Sequence, residues 1–124
     1  MPEDFLGLLS DGDIINLQPG QELFKKGDAG VYMYVVKSGE IQIIDGNHVF
    51  ETVGAGGIFG EMALISNEPR SATARALVES TVVPVDQKRF IFMISQTPFF
   101  ALRVMKVMSG RIRAMNEAVV SISE

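Results

Sequence analysis

FGEMALISNEPRSAT, residues 59–73, follows a turn rich in glycine (Gly54, Gly56, Gly57) and joins Gly60, a short apolar helical run, and the pair Arg70–Ser71 behind Pro69. That order of residue types makes a cradle for a phosphate. Backbone N–H groups at the start of a short helix from Gly60 can point at an anion. Arg70 supplies a planar fork of donors matched to phosphate oxygens, and Ser71 adds a hydroxyl. Glu61 would repel a bare phosphate, so its presence asks for a ligand that also offers hydroxyl donors, as a ribose does. The combination points to a nucleotide.

Outward from that stretch, residues 13–85 read as short apolar runs separated by turn signals, the pattern of an all-β barrel or sandwich. The expected strands are Ile14–Leu17, Glu22–Phe24, Val31–Val36, Ile41–Ile44, His48–Val53, Arg70–Ala76 and Thr81–Val85. Asp45, Gly46 and Asn47 join two of them with hairpin-turn composition. Closing the strands into a barrel would protect their edges. In Ser71–Ala76 the alternation puts Ser71, Thr73 and Arg75 on one face and three alanines on the other; next to Arg70 and the helix turn the polar face is expected to line the site, the alternative being an edge strand with a solvated face.

Past the strands, Asp86 suits the N-cap of a helix over Gln87–Gln96, and Thr97 with Pro98 opens a second helix running to about Ile122. Phe99 and Phe100 are expected to anchor the hinge between them in the barrel wall. Met105, Met108, Ile112, Met115, Val119 and Ile122 recur with heptad spacing, which predicts a seam for a second copy, the alternative being packing on the chain's own barrel. Arg103, Lys106, Arg111 and Arg113 form a basic segment read as a solvated face, with one or two arginines reaching towards an anionic ligand; membrane association is not expected. Before the strands, residues 1–12 predict a short helical segment in which Phe5, Leu6, Leu8 and Leu9 pack on the domain.

The bulk numbers narrow the function classes. A chain of 124 residues fits one domain, residues 1–124, with roughly two thirds of its unfolded surface buried. A hydrophobic share of 47% argues for a folded chain. The net charge of −4 gives no overall footprint for nucleic acid. With no cysteine and one histidine, neither disulfides nor a multi-histidine metal site is expected. The amino terminus lacks both a basic start and a long apolar core, so a cytoplasmic protein is expected. Nothing pairs a nucleophile with a base, and His48 reads as a surface strand residue; no enzyme chemistry is expected.

The run GEMALISNEPRSATARA, from Gly60 to Ala76, resembles the phosphate-binding cassette of the cyclic nucleotide-binding domain family, found in bacterial catabolite activator proteins, regulatory subunits of cyclic AMP-dependent kinase and cyclic nucleotide-gated channels. Gly60, Glu61, Ala63, Leu64, Pro69, Arg70, Ser71 and Ala72 fall where that pattern puts them, and the resemblance covers nearly the whole chain. It implies a mainly β fold with helices: a jelly-roll-like antiparallel β-barrel, a short N-terminal helix, the cassette at 59–73 and two C-terminal helices over 86–124. It implies that Arg70 pairs with a cyclic phosphate, Ser71 bonds a phosphate oxygen, and Glu61 accepts the ribose 2′-hydroxyl. Gly60, Met62, Ala63 and Ala72 would supply backbone and shape. Ile43, on the strand face it shares with Ile41, would meet the base, and Arg111 would cover it with Asn116 behind. Serine after the cassette arginine occurs in bacterial binders of cyclic AMP, so cAMP is preferred over cGMP. The implied role is a sensor whose C-terminal helices move on binding, as a homodimer through the 98–122 helix or with an attached effector domain. The alternative is a structural or dimerisation module that keeps the barrel without a ligand.

Overall fold

The computed structural model describes residues 14–66 and 68–123, with side chains described as far as residue 110. The predicted segment at 1–12 lies outside the described residues. Among the described residues, eight strands and three helices follow one another as β1 (Ile15–Leu17), β2 (Glu22–Phe24), β3 (Met33–Ser38), β4 (Glu40–Asp45), β5 (His48–Gly54), β6 (Ile58–Phe59), α1 (Met62–Ile65), β7 (Thr73–Ala76), β8 (Ser80–Val85), α2 (Gln87–Gln96) and α3 (Pro98–Ser123). The strands form two four-stranded antiparallel sheets, β1-β8-β3-β6 and β2-β7-β4-β5. This is the expected mainly β, jelly-roll-like fold, with one correction: the two sheets are not closed into a barrel. Their facing sides bury a shared core instead, with Leu17, Tyr34, Val36 and Val82 from the first sheet meeting Ile41, Val53, Ala74 and Ala76 from the second.

The first sheet is buried on both faces, which explains the unbroken apolar run in β3. Side chains alternate along a strand. Tyr34 and Val36 enter the inter-sheet core, while Met33 and Val35 join Ile58, Val83 and Val85 beneath Met93, Phe100 and Val104 of the two long helices. The turn at Gly46–Asn47 joins Asp45 to its partner His48, with Gly46 at φ 60°, as the hairpin composition requires. His48 is exposed, its ring edge-on to Phe50 at 4.6 Å. Strand β6 was not expected, because two residues are too few for an alternation to register.

Asp86 caps α2 as expected, its carboxylate accepting from the Arg89 amide at 2.8 Å. Thr97 ends α2 and its carbonyl accepts from Phe100 to begin α3, and the chain turns by 119° between the two helices. Here the aromatic pair divides. Phe100 is 1% exposed and edge-on to Phe90 at 5.6 Å, whereas Phe99 is 74% exposed among the described residues and does not join the core there. The predicted seam also divides: Met108 packs against the helix-side core beside Val104 and Val107, while Met105 is exposed; the side chains at Ile112, Met115, Val119 and Ile122 lie outside the described residues. A heptad pattern cannot tell one buried face from another, and here its first described member in the core belongs to the protein's own. No single helix among the described residues is long and apolar enough to cross a membrane.

Candidate functional site

β6 delivers the chain to Gly60, whose φ of 76° is open to glycine and strained for other residues. Glu61 follows, 2% exposed, and then the single turn of α1, closed by Ala63 and Leu64 amides on the Gly60 and Glu61 carbonyls. After Pro69 the chain is pinned by reciprocal backbone hydrogen bonds: the Arg70 amide donates to Asp28, and the Gly27 amide to Arg70, each at 2.8 Å. The loop between β2 and β3 thus sets where the Arg70 side chain begins.

Arg70 is 8% exposed. Its Nη2 donates to the Tyr32 carbonyl at 2.7 Å and its Nη1 to the Gly60 carbonyl at 3.2 Å. Cζ lies 4.0 Å from the centre of the Phe24 ring and 5.7 Å from that of Tyr34. Nε is buried with no hydrogen-bond partner among the described residues. Burial lowers the Arg70 pKa, opposed by Tyr34, Asp28 and Glu61, and it raises that of Tyr34, against which Arg70 works. At neutral pH the pair is a guanidinium beside a neutral phenol.

Around these groups lies a cavity of about 390 Å³, within the range that encloses small ligands. Gly60, Glu61, Met62, Ala63, Arg70, Ser71, Ala72 and Ile43 all line it. Eight residues separated by up to 29 positions therefore meet on one surface. Arg111 stands one helical turn past Met108 on α3, and its side chain, like that of Asn116, lies outside the described residues.

The polar face of β7 is a correction. Thr73 accepts from the Lys26 amide at 3.0 Å, and neither it nor Arg75 lines the cavity. The contribution of that stretch stops at Ser71 and Ala72. Arg103, in the basic segment of α3, donates from Nη2 to the Gly56 carbonyl, 2.9 Å away. Sequence reasoning missed Phe24 and Met108 as wall residues. Phe24 is opposite Ala74 in the sheet, a pairing between distant segments that no local pattern announces; the spacing of Met108 marks it only as a member of the seam. A second cavity of about 530 Å³ lies by Tyr32, Pro84 and α2, but it contains no residue of the 59–73 stretch, and its Asp86 is committed to the helix cap.

The family model described as the cyclic nucleotide-binding domain matches residues 14–97. A cGMP-dependent protein kinase of Toxoplasma gondii is 44% identical over 61 residues, 49% of this chain and 6% of the kinase. A cAMP-dependent protein kinase regulatory subunit of Eremothecium gossypii is 37% identical over 71 residues, 57% of this chain and 16% of that protein. The chain thus spans only a small part of the length of these relatives. Among solved structures, the Thermus thermophilus catabolite activator protein superposes with a TM-score of 0.81 over 98% of this chain and 58% of its own; at 22% identity this shows the fold alone. With the family model spanning the sheets, the cassette and α2, the chain belongs to the cyclic nucleotide-binding domain family.

Proposed function

We propose that residues 1–124 form one regulatory domain, an N-terminal helical segment (1–12), strands with the cassette (13–85) and C-terminal helices (86–124), that binds a cyclic nucleotide in the 390 Å³ cavity, cAMP in preference to cGMP. The observation that carries this is the pairing of a buried acid and a buried base on one wall: Glu61 at 2% exposure and Arg70 at 8%, the latter with an Nε that lacks a partner among the described residues. A ligand that is anionic at one edge and a hydroxyl donor at another complements both. A purely anionic ligand would not.

Arg70 and Ser71 take the cyclic phosphate, and Glu61 accepts the ribose 2′-hydroxyl. Gly60, Met62, Ala63 and Ala72 shape the cradle; Ile43 meets the base, and Arg111 closes over it from α3. The domain carries out no reaction. Its output is movement of α3 about Thr97 and Pro98, a shift between pre-existing arrangements. Met108 supports this, because it joins the cavity wall to the helix-side core and lets an occupant act on α3 directly. The moving helix reports to a second copy or an attached effector domain, in the cytoplasm.

The test is calorimetric titration with cAMP and with cGMP, alongside Arg70→Ala. Binding in the micromolar range or tighter is expected, tighter for cAMP, and weaker by about tenfold or more once the charge-assisted hydrogen bonds of Arg70 are lost. Absence of heat and of thermal stabilisation with both nucleotides would reject the proposal and leave a structural or dimerisation module.

A further inference from the structure

We infer that Phe24, at the end of β2 and outside the 59–73 stretch, is the positioning residue for Arg70, holding its guanidinium on the cavity wall through a cation–π contact. The guanidinium carries a full charge in a nearly dry place. Two backbone carbonyls, of Tyr32 and Gly60, take one Nη each. They lie at the edge of the group and leave its face uncovered. The Phe24 ring covers that face, with Cζ 4.0 Å from its centre. A desolvated contact of this kind is stronger than an exposed one.

The ring is itself held. Phe24 packs against Tyr34 and Phe59, with centroids 5.9 and 6.1 Å away, and Tyr34 stacks on Phe59 at 5.4 Å. Strand pairing with β7 sets Phe24 opposite Ala74, four residues past Arg70, so backbone register brings ring and guanidinium to the same wall. Gly30 completes the arrangement: a Cβ there would meet the guanidinium, so the loop must leave that space empty. Tyr34, at 5.7 Å, is a more distant second ring. The consequence for binding is entropic. A guanidinium already seated loses little freedom when an anion arrives.

The binding half of this inference rests on the nucleotide-binding role proposed above; the stability half does not. Urea denaturation without nucleotide compares the parent protein, Phe24→Leu, Arg70→Ala and the double variant. Phe24→Leu keeps apolar bulk and removes the π face. The expected result is that the free-energy loss caused by Phe24→Leu is larger with Arg70 present than in the Arg70→Ala background, and that Phe24→Trp recovers the difference. Equal losses in both backgrounds would overturn the pairing whatever the ligand proves to be.

Titration with cAMP then gives the functional arm. Phe24→Leu is expected to weaken binding by about five- to twentyfold, the worth of a desolvated cation–π contact. On the Arg70→Ala background it should cost nothing further, and Phe24→Trp should restore affinity. Unchanged affinity of Phe24→Leu, or an equal loss in both backgrounds, would overturn the positioning role. A parent protein that binds neither cAMP nor cGMP would reject the functional proposal, and the urea cycle would still decide whether Phe24 holds Arg70.

Discussion

A Cβ at Gly30 would land on the guanidinium of Arg70, and one at Gly60 would come within 2.8 Å of Nη1. The two glycines differ in what a substitution does. Gly60 has a positive φ, so a side chain there is strained as well as crowded. Gly30 lies outside the left-handed region, and the obstructing atoms belong to the movable end of a long side chain. Gly30→Ala is therefore expected to keep the fold while displacing the guanidinium from the Tyr32 and Gly60 carbonyls. Its melting temperature should fall by several degrees, because the two carbonyls and the Phe24 ring lose the guanidinium, and its affinity for cyclic nucleotide, read by calorimetry, should fall by about tenfold. At this scale the sequence was informative about Glu61, Arg70 and Ser71, because an acid beside an arginine–serine pair after a glycine turn is a local pattern. Phe24 and Gly30 were not legible. Each acts through Arg70, more than 35 positions away, and their residue types carry no mark of that contact.

Among the elements, the joint between α2 and α3 shows how local reading succeeds and then stops. Asp86, Thr97 and Pro98 punctuate the helices by short-range chemistry, and both boundaries were expected from the residues. Which of Phe99 and Phe100 enters the core depends on the 119° turn between the helices. Phe100→Ala is expected to cost about 3–5 kcal/mol, read as a lowered denaturation midpoint, because it opens a cavity beneath Met93 and Val104. Phe99→Ser should stay within about 0.5 kcal/mol, as the ring is exposed. Equal effects would contradict the rotation of α3 about its axis. The same rotation places Val104, Val107 and Met108 towards the core and Met105 away from it, a choice the heptad spacing left open.

Across the whole molecule, the proposed switch requires α3 to move relative to the sheets when the cavity fills. The absence of cysteine makes this directly measurable. Exposed positions on α3 and β5, Met105→Cys and His48→Cys, accept spin labels without competing thiols. The distance distribution between them is expected to shift on saturation with cAMP and to remain unchanged in Arg70→Ala; an unchanged distribution in the parent protein would reject helix movement as the output. The sequence by itself determined the strand-rich character, most strand positions, the hairpin at Gly46–Asn47, both long helices and the cassette, because alternation, turn chemistry and capping act over a few residues. Only the tertiary structure decided that the sheets pack face to face without closing, that β3 is buried on both sides, that Thr73 and Arg75 turn from the cavity, and that Phe24 and Met108 line it. Those outcomes depend on strand register, sheet packing and helix rotation, which are settled by burying apolar surface between segments far apart in the chain.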